Sequence, residues 1–513
     1  MHSIRTHIIS VCGLFLLHGL ADAQLAERAI ADSIPVIPSE HQVVLVGNIY
    51  GGPMADILVV SRVGGETELQ SFGLSNQSWV ERELLSLPPD SSGFDIATVG
   101  ERDQLLVLWT DGLGLFNFET GEVERVFDGP IANAWVKDVL RVVDMSQDVN
   151  GDGLDDLIVP AADGLQIIVQ RSDGQFVAPV RLDWLPHARL PERVDDDRHS
   201  LLAEARTRLA DLDLDGRTDL VQWRDDHFAV YRQLENGGFA ADPVSFDIPN
   251  LFDSDDPSYL VAPGSVRYRA IDHDVDGSFT GRVLDSLEDM TGDGIADISI
   301  FYLRGEGLLG LRHGYSVYAG HTGPDGLVFN TDPVAHFEQR GIPFSLKRHD
   351  LEGDGLPEIV VTALPPNVLA MIGGVIFRRM TFNIDLHRMD GGQTNGAIIS
   401  RPLRAYGLGE SDTTAVQFSP VRVGDFDGDG RPDLVIGRGG RVLDVYRGEV
   451  GAGLVAQRPE RIDLAFRTGV DRFIVSDLNS DGAADIVIHA PRSAAPGHVT
   501  VWLSQLVPTC EMQ

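Results

Sequence analysis

The sequence predicts an all-β fold, a β-propeller of four-stranded blades, eight by count with seven as the alternative. Three observations predict it. An Asp- and Gly-rich phrase of fixed internal spacing recurs six times. Each copy runs straight into a short β-rich stretch, and successive copies begin 52 to 78 residues apart, room for one four-stranded unit each.

The copies read DVNGDGLDDLIV from Asp148, DLDLDGRTDLVQ from Asp211, DMTGDGIADISI from Asp289, DLEGDGLPEIVV from Asp350, DFDGDGRPDLVI from Asp425 and DLNSDGAADIVI from Asp477. Positions 1, 3, 5 and 9 carry oxygen in every copy. The first three sets are Asp148, Asn150, Asp152 and Asp156; Asp211, Asp213, Asp215 and Asp219; and Asp289, Thr291, Asp293 and Asp297. The last three are Asp350, Glu352, Asp354 and Glu358; Asp425, Asp427, Asp429 and Asp433; and Asp477, Asn479, Asp481 and Asp485. Alternate side chains of a curled loop converge on one centre, and Ca²⁺ takes six to eight hard oxygens at about 2.3–2.6 Å. The carbonyl at position 7 (Leu154, Arg217, Ile295, Leu356, Arg431 and Ala483) supplies one more oxygen. Position 6 is always glycine, as a turn this sharp requires. About six Ca²⁺ ions are expected.

An EF-hand shares the first half of this pattern but needs Glu at position 12 and a helix after it. Position 12 is Val159, Gln222, Ile300, Val361, Ile436 and Ile488, and β-branched residues dominate the stretch around it. Each loop therefore joins two strands, and its last acid opens the second strand. Asp272–Gly277 begins a seventh copy but has Thr280 at position 9, and reads as an acidic surface loop.

The larger unit is visible around each loop. A third strand recurs as FAVYRQ at 228–233, YSVYAG at 315–320 and VLDVYRG at 442–448, and a more polar fourth comes after it. Two N-terminal units, Val43–Val60 and Asp95–Leu108, keep the two-strand rhythm without the ligand set; the first retains Asp56 but has Tyr50 and Gly52 where acids belong. The last unit supplies only three strands, near 472–476, 484–489 and 498–503. The short apolar Ser33–Pro38, with two prolines suited to an edge, is expected to complete it. Insertions are expected near 183–206, 250–283 and 362–402, the last with a helix at Val368–Phe377.

Composition narrows the function. The net charge is −36, from 77 acidic against 41 basic residues, which excludes nucleic acid as a natural partner. Arg5, the apolar Ile8–Leu20 and Ala21-Asp22-Ala23 resemble a secretory signal over residues 1–23, leaving one propeller domain over 24–513 in the periplasm, at the cell surface or outside. No later run reaches the ~18 apolar residues of a spanning helix. Removal of Cys12 leaves Cys510 alone, so stability must come from something other than a disulfide.

The DxDxDGxxD loops and the VYxG strands resemble the FG-GAP, or VCBS-type, repeats of integrin α-chain propellers and of bacterial exported proteins, over roughly residues 40–505. The resemblance implies a propeller with calcium in its inter-strand loops. It departs from the integrin head in blade count, which is seven there. No HExxH, CxxC, Walker or dinucleotide motif occurs, and Gly314–Tyr318 lacks the closing glycine of a nucleophile elbow. Arg189, Arg193, Arg206, Arg208, Arg378 and Arg379 either receive an anion or offset nearby acids. The favoured function is a non-enzymatic scaffold binding protein or glycan; the alternative is an exported polysaccharide lyase or hydrolase.

Overall fold

The computed structural model describes residues 29–75, 78–100, 102–132, 140–183, 198–204, 206–224, 226–255, 278–306, 310–324, 326–365, 380–388, 396–403, 421–438, 442–450, 453–463, 473–489 and 497–504. The expected signal segment, the Asp272 loop and the Val368–Phe377 helix lie outside the described residues.

Eight four-stranded blades form an eight-bladed propeller, seven of them separate sheets and one extended to six strands by Arg141–Asp144 and Arg198–Ser200. Seven are built from consecutive antiparallel strands; the first, for example, runs Gln42–Gly47, Asp56–Val63, Glu66–Ser75 and Ser78–Leu87. The two loopless N-terminal units are blades 1 and 2, and the six loops open the second strands of blades 3 to 8. Blade 5 carries an extra hairpin, Gly320–Gly323 with Gly326–Phe329, between its third and fourth strands. The inner strand of blade 3 starts beside that of blade 2, pairing in parallel with it and with Arg198–Ser200.

The eighth blade closes the ring. Its own strands are Phe473–Ser476, Asp485–His489 and His498–Ser504, and Ala29–Pro35 adds the fourth in antiparallel register, with Ser33 opposite Thr500 and Ile34 opposite Val499. The N-terminal strand begins earlier than the sequence indicates, so Pro35 ends the ladder and Pro38 lies outside it. Ile34 and Val36 are buried in a cluster with Val44, Ile57, Leu478 and Val499, which joins blades 8 and 1.

Apolar clusters bridge every neighbouring pair of blades around the ring. Position 2 of each loop feeds them. Val149, Leu212, Met290, Leu351, Phe426 and Leu478 are all at most 2% exposed.

All three expected insertions contain regular structure. Residues 362–402 contain the end of one strand of blade 6, Glu358–Leu364, and nearly all of two others, Met380–His387 and Gly396–Leu403. Residues 278–283 belong to the inner strand of blade 5, and 201–204 form a short helix whose Leu201 and Leu202 are buried. The long approach between loops misled the count, because strand length varies from blade to blade.

A chain beginning at Gln42 should be less stable than one beginning at Gln24. Exposing Ile34 and Val36 alone costs about 3–6 kcal/mol. Thermal melts of the two chains check this, and equal midpoints would mean the ring closes without the N-terminal strand.

Candidate metal-binding loops

All six loops share one backbone path, and the odd-numbered side chains hold it. The position 1 carboxylate accepts the N–H of position 5 at 3.1–3.2 Å and the N–H of the position 6 glycine at 2.7–3.0 Å. The position 5 carboxylate accepts the N–H of position 7 at 2.9–3.0 Å. Position 6 sits at φ 81–89°, where glycine is needed. Position 4 is left-handed too, and there Leu214 and Ser480 take φ values of 60° and 56° in place of the glycine of the other four copies. The sequence pattern gives that second turn residue away only as Gly151, Gly292, Gly353 and Gly428.

Position 9 works differently. Asp156, Asp219, Asp297, Glu358, Asp433 and Asp485 are buried. One oxygen of each accepts the N–H of position 2 at 2.8–3.3 Å. In five of them the other oxygen accepts an N–H at or just past the end of the third strand, from Gln170, Gln233, Gly320, Gly448 or Ser504, at 2.8–3.0 Å. Burial pushes Asp156, Glu358 and Asp433 up to about 7 and Asp219 and Asp485 up to about 6, with the neighbouring loop acids adding to the rise. Asp297 is raised as well, again by burial first. No ion pair to any of these six is found among the described residues.

Donor atoms of Asp211, Asp213 and Asp215 lie within 4.8 Å of one another, as do those of Asp425, Asp427 and Asp433. Oδ1 of Asp427 and Oδ1 of Asp213 are buried without a hydrogen-bond partner. Hard oxygens left orphaned among other hard oxygens suit a calcium ion. In the two asparagine loops the amide turns toward position 5 instead, Asn150 donating to Asp152 at 3.2 Å and Asn479 to Asp481 at 3.1 Å. At position 7 the side chains of Arg217 and Arg431 fold back onto Asp215 and Asp429, leaving the carbonyl as the oxygen that position can offer.

Blade 1 has a related joint, reached by an arginine. Asp56 accepts the N–H groups of Ile49 and Tyr50 at 3.1 Å, as a position 9 acid does. Arg82 from the fourth strand reaches it at 3.2 Å, passing over the Tyr50 ring. It also passes over Gly73, where a Cβ would fall 2.0 Å from its Nε. Sequence reading flagged Asp56 but missed Arg82, which lies 26 residues further on in an ordinary polar strand.

Elsewhere the suspected sites dissolve. Gly314–Tyr318 lies within the regular strand Arg312–Tyr318, so Ser316 is not on an elbow. Arg206 pairs with Asp255 at 3.0 Å and Arg208 lies 3.8 Å from it, so both offset an acid; Arg189, Arg193, Arg378 and Arg379 lie outside the described residues.

Residues 425–488, covering the loops of blades 7 and 8, match the family model of the FG-GAP-like repeat. The chain is a β-propeller with an FG-GAP-like repeat over these residues. No curated protein matches it. Among solved structures, Sqt1 from Chaetomium thermophilum is 11% identical with a TM-score of 0.39, covering 93% of this chain and 100% of its own. The exotype rhamnogalacturonan lyase YesX is 11% identical with a TM-score of 0.33, covering 93% and 76%. The WD40 domain of Toxoplasma gondii coronin is 10% identical with a TM-score of 0.31, covering 94% and 90%. None is close enough to carry an assignment to this FG-GAP propeller.

Arg82→Ala should lower stability by about 1–3 kcal/mol, the cost of a buried acceptor left unpaired, discounted because the guanidinium is one-third exposed. The loss should be the same in calcium and in chelator, and Asp56→Asn in the same chain should restore part of it. A calcium-dependent loss would show that blade 1 also takes metal.

Proposed function

We propose that the loops of blades 3 to 8 each hold a calcium ion and that the protein is an exported, calcium-stabilised scaffold presenting the propeller faces to a protein or glycan ligand. One observation carries the calcium. Asp56 and the six position 9 acids are all buried and all accept the N–H of position 2, yet only Asp56 has an arginine within reach among the described residues. A buried carboxylate that has backbone donors but no charged partner is costly, and a divalent cation bound by positions 1, 3, 5 and 9 with the position 7 carbonyl supplies the missing charge. Bound ions then contribute stability by mass action. The scaffold reading rests on the absence of any recognisable catalytic motif in the sequence, and export rests on the N-terminal apolar segment ending at Ala23.

The melting midpoint should rise with excess calcium and fall on chelation, and six ions should be counted in the calcium-loaded protein. An unchanged midpoint would remove the metal from the account. Asp429→Ala should reduce the calcium-induced rise and leave any ligand specificity intact. If the variant instead melts like its parent but loses a specific binding activity, the loop serves function directly. Release of new reducing ends from a polysaccharide panel would make the protein an enzyme; none is expected.

A further inference from the structure

The fourth carboxylate of a loop never stands alone. Position 3 is acidic in blades 4, 6 and 7, as Asp213, Glu352 and Asp427, and neutral in blades 3, 5 and 8, as Asn150, Thr291 and Asn479. The residue just past the strand partner of position 10 tracks it without exception. It is Arg232, Arg388 and Arg447 in the acidic loops and Val169, Ala319 and Leu503 in the neutral ones. The contacts are made. Arg232 lies 3.2 Å from Asp213, Arg447 lies 3.2 Å from Asp427, and Arg388 pairs with Glu352. Asp427 is nine-tenths buried, with one oxygen on Arg447 and the other aimed, without a partner, among the loop carboxylates.

We infer that Arg232, Arg388 and Arg447 cancel the fourth carboxylate of their loops, so that all six sites offer calcium the same net charge and fill over one concentration range. The inference rests on the calcium assignment above. Affinity at an all-oxygen site is set by ligand charge and rigidity. The rigid frame is common to all six loops, so charge at position 3 is the variable that remains. The arginine offsets it, Arg447 while also pairing with Glu460 of the fourth strand. Arg217 and Arg431 at position 7 are 38% and 42% exposed and Arg232 is 50% exposed, so solvent screens all three, and Arg388 and Arg447, at 18% and 27%, offset their acids most fully.

The test uses the full chain in three variants: Arg232→Leu, Arg388→Leu and Arg447→Leu together; Asp213→Asn, Glu352→Gln and Asp427→Asn together; and all six. Calorimetric calcium titration of the parent should give one class of sites. The arginine-free variant should give two classes, three sites binding roughly tenfold tighter than the rest. The acid-free variant should give three sites roughly tenfold weaker, from the stranded positive charge. The sixfold variant should return to one class. An arginine-free variant that titrates like the parent overturns the inference. If a triple variant does not fold, Arg447→Leu, Asp427→Asn and their combination are compared in the same way, with one site displaced out of six. Melts in chelator separate the two ideas. A positive coupling between the arginine and acid substitutions without metal shows the charge matching even if the parent proves insensitive to calcium, which would sink the metal assignment alone; zero coupling overturns the matching whatever calcium does.

Discussion

One buried carboxylate in blade 1 and in each of blades 3 to 8 ties the structure together. At position 9 it receives the N–H of the apolar anchor two residues into the loop and, in most blades, the N–H just beyond the third strand. Three segments of one blade thus meet on two oxygen atoms. The anchor beside it, Val149 in blade 3 or Phe426 in blade 7, enters the apolar clusters that join neighbouring blades. Blade geometry and blade-to-blade packing therefore depend on a negative charge held away from water. That is an expensive place for a charge.

Everything polar in the loop answers that cost. Positions 1 and 5 wrap the backbone so that its N–H groups point inward, and the left-handed turns at positions 4 and 6 make the wrap possible. Blade 1 reveals the requirement by meeting it another way. Where the corresponding positions are Asn48, Tyr50 and Gly52, Arg82 crosses Gly73 to reach Asp56.

How much of this was legible depended on sequence distance. The loops, the strand after each and the eight-unit count were readable because every defining residue falls within a dozen positions. Ring closure was readable because the last unit lacks a strand and Ile34 offers one. The partners of Asp56, Asp213, Glu352 and Asp427 were not, since each arginine sits across the sheet from its acid, 19 to 36 residues further along the chain. In the sequence Arg232 and Arg447 look like ordinary parts of a VYR strand ending. The boundaries at 362–402 failed for a related reason: Met380–His387 and Gly396–Leu403 lack the loop signature that marks a blade's first half, and only pairing with Glu358–Leu364 identifies them.

The strand that closes the ring also sets an order in time. Ser33 finds its neighbour His498 across 465 residues of chain, whereas nearly every other ladder joins strands close in sequence. A chain emerging from its N-terminus makes this strand early and must leave it unpaired until the eighth blade has emerged. Seven blades can assemble locally and in sequence, so the final event is a single long-range docking. Its entropic cost is modest, because closure entropy grows only logarithmically with the length enclosed. The waiting is the burden: until docking, the open edges of Ala29–Pro35 and His498–Ser504 are each free to pair with another chain.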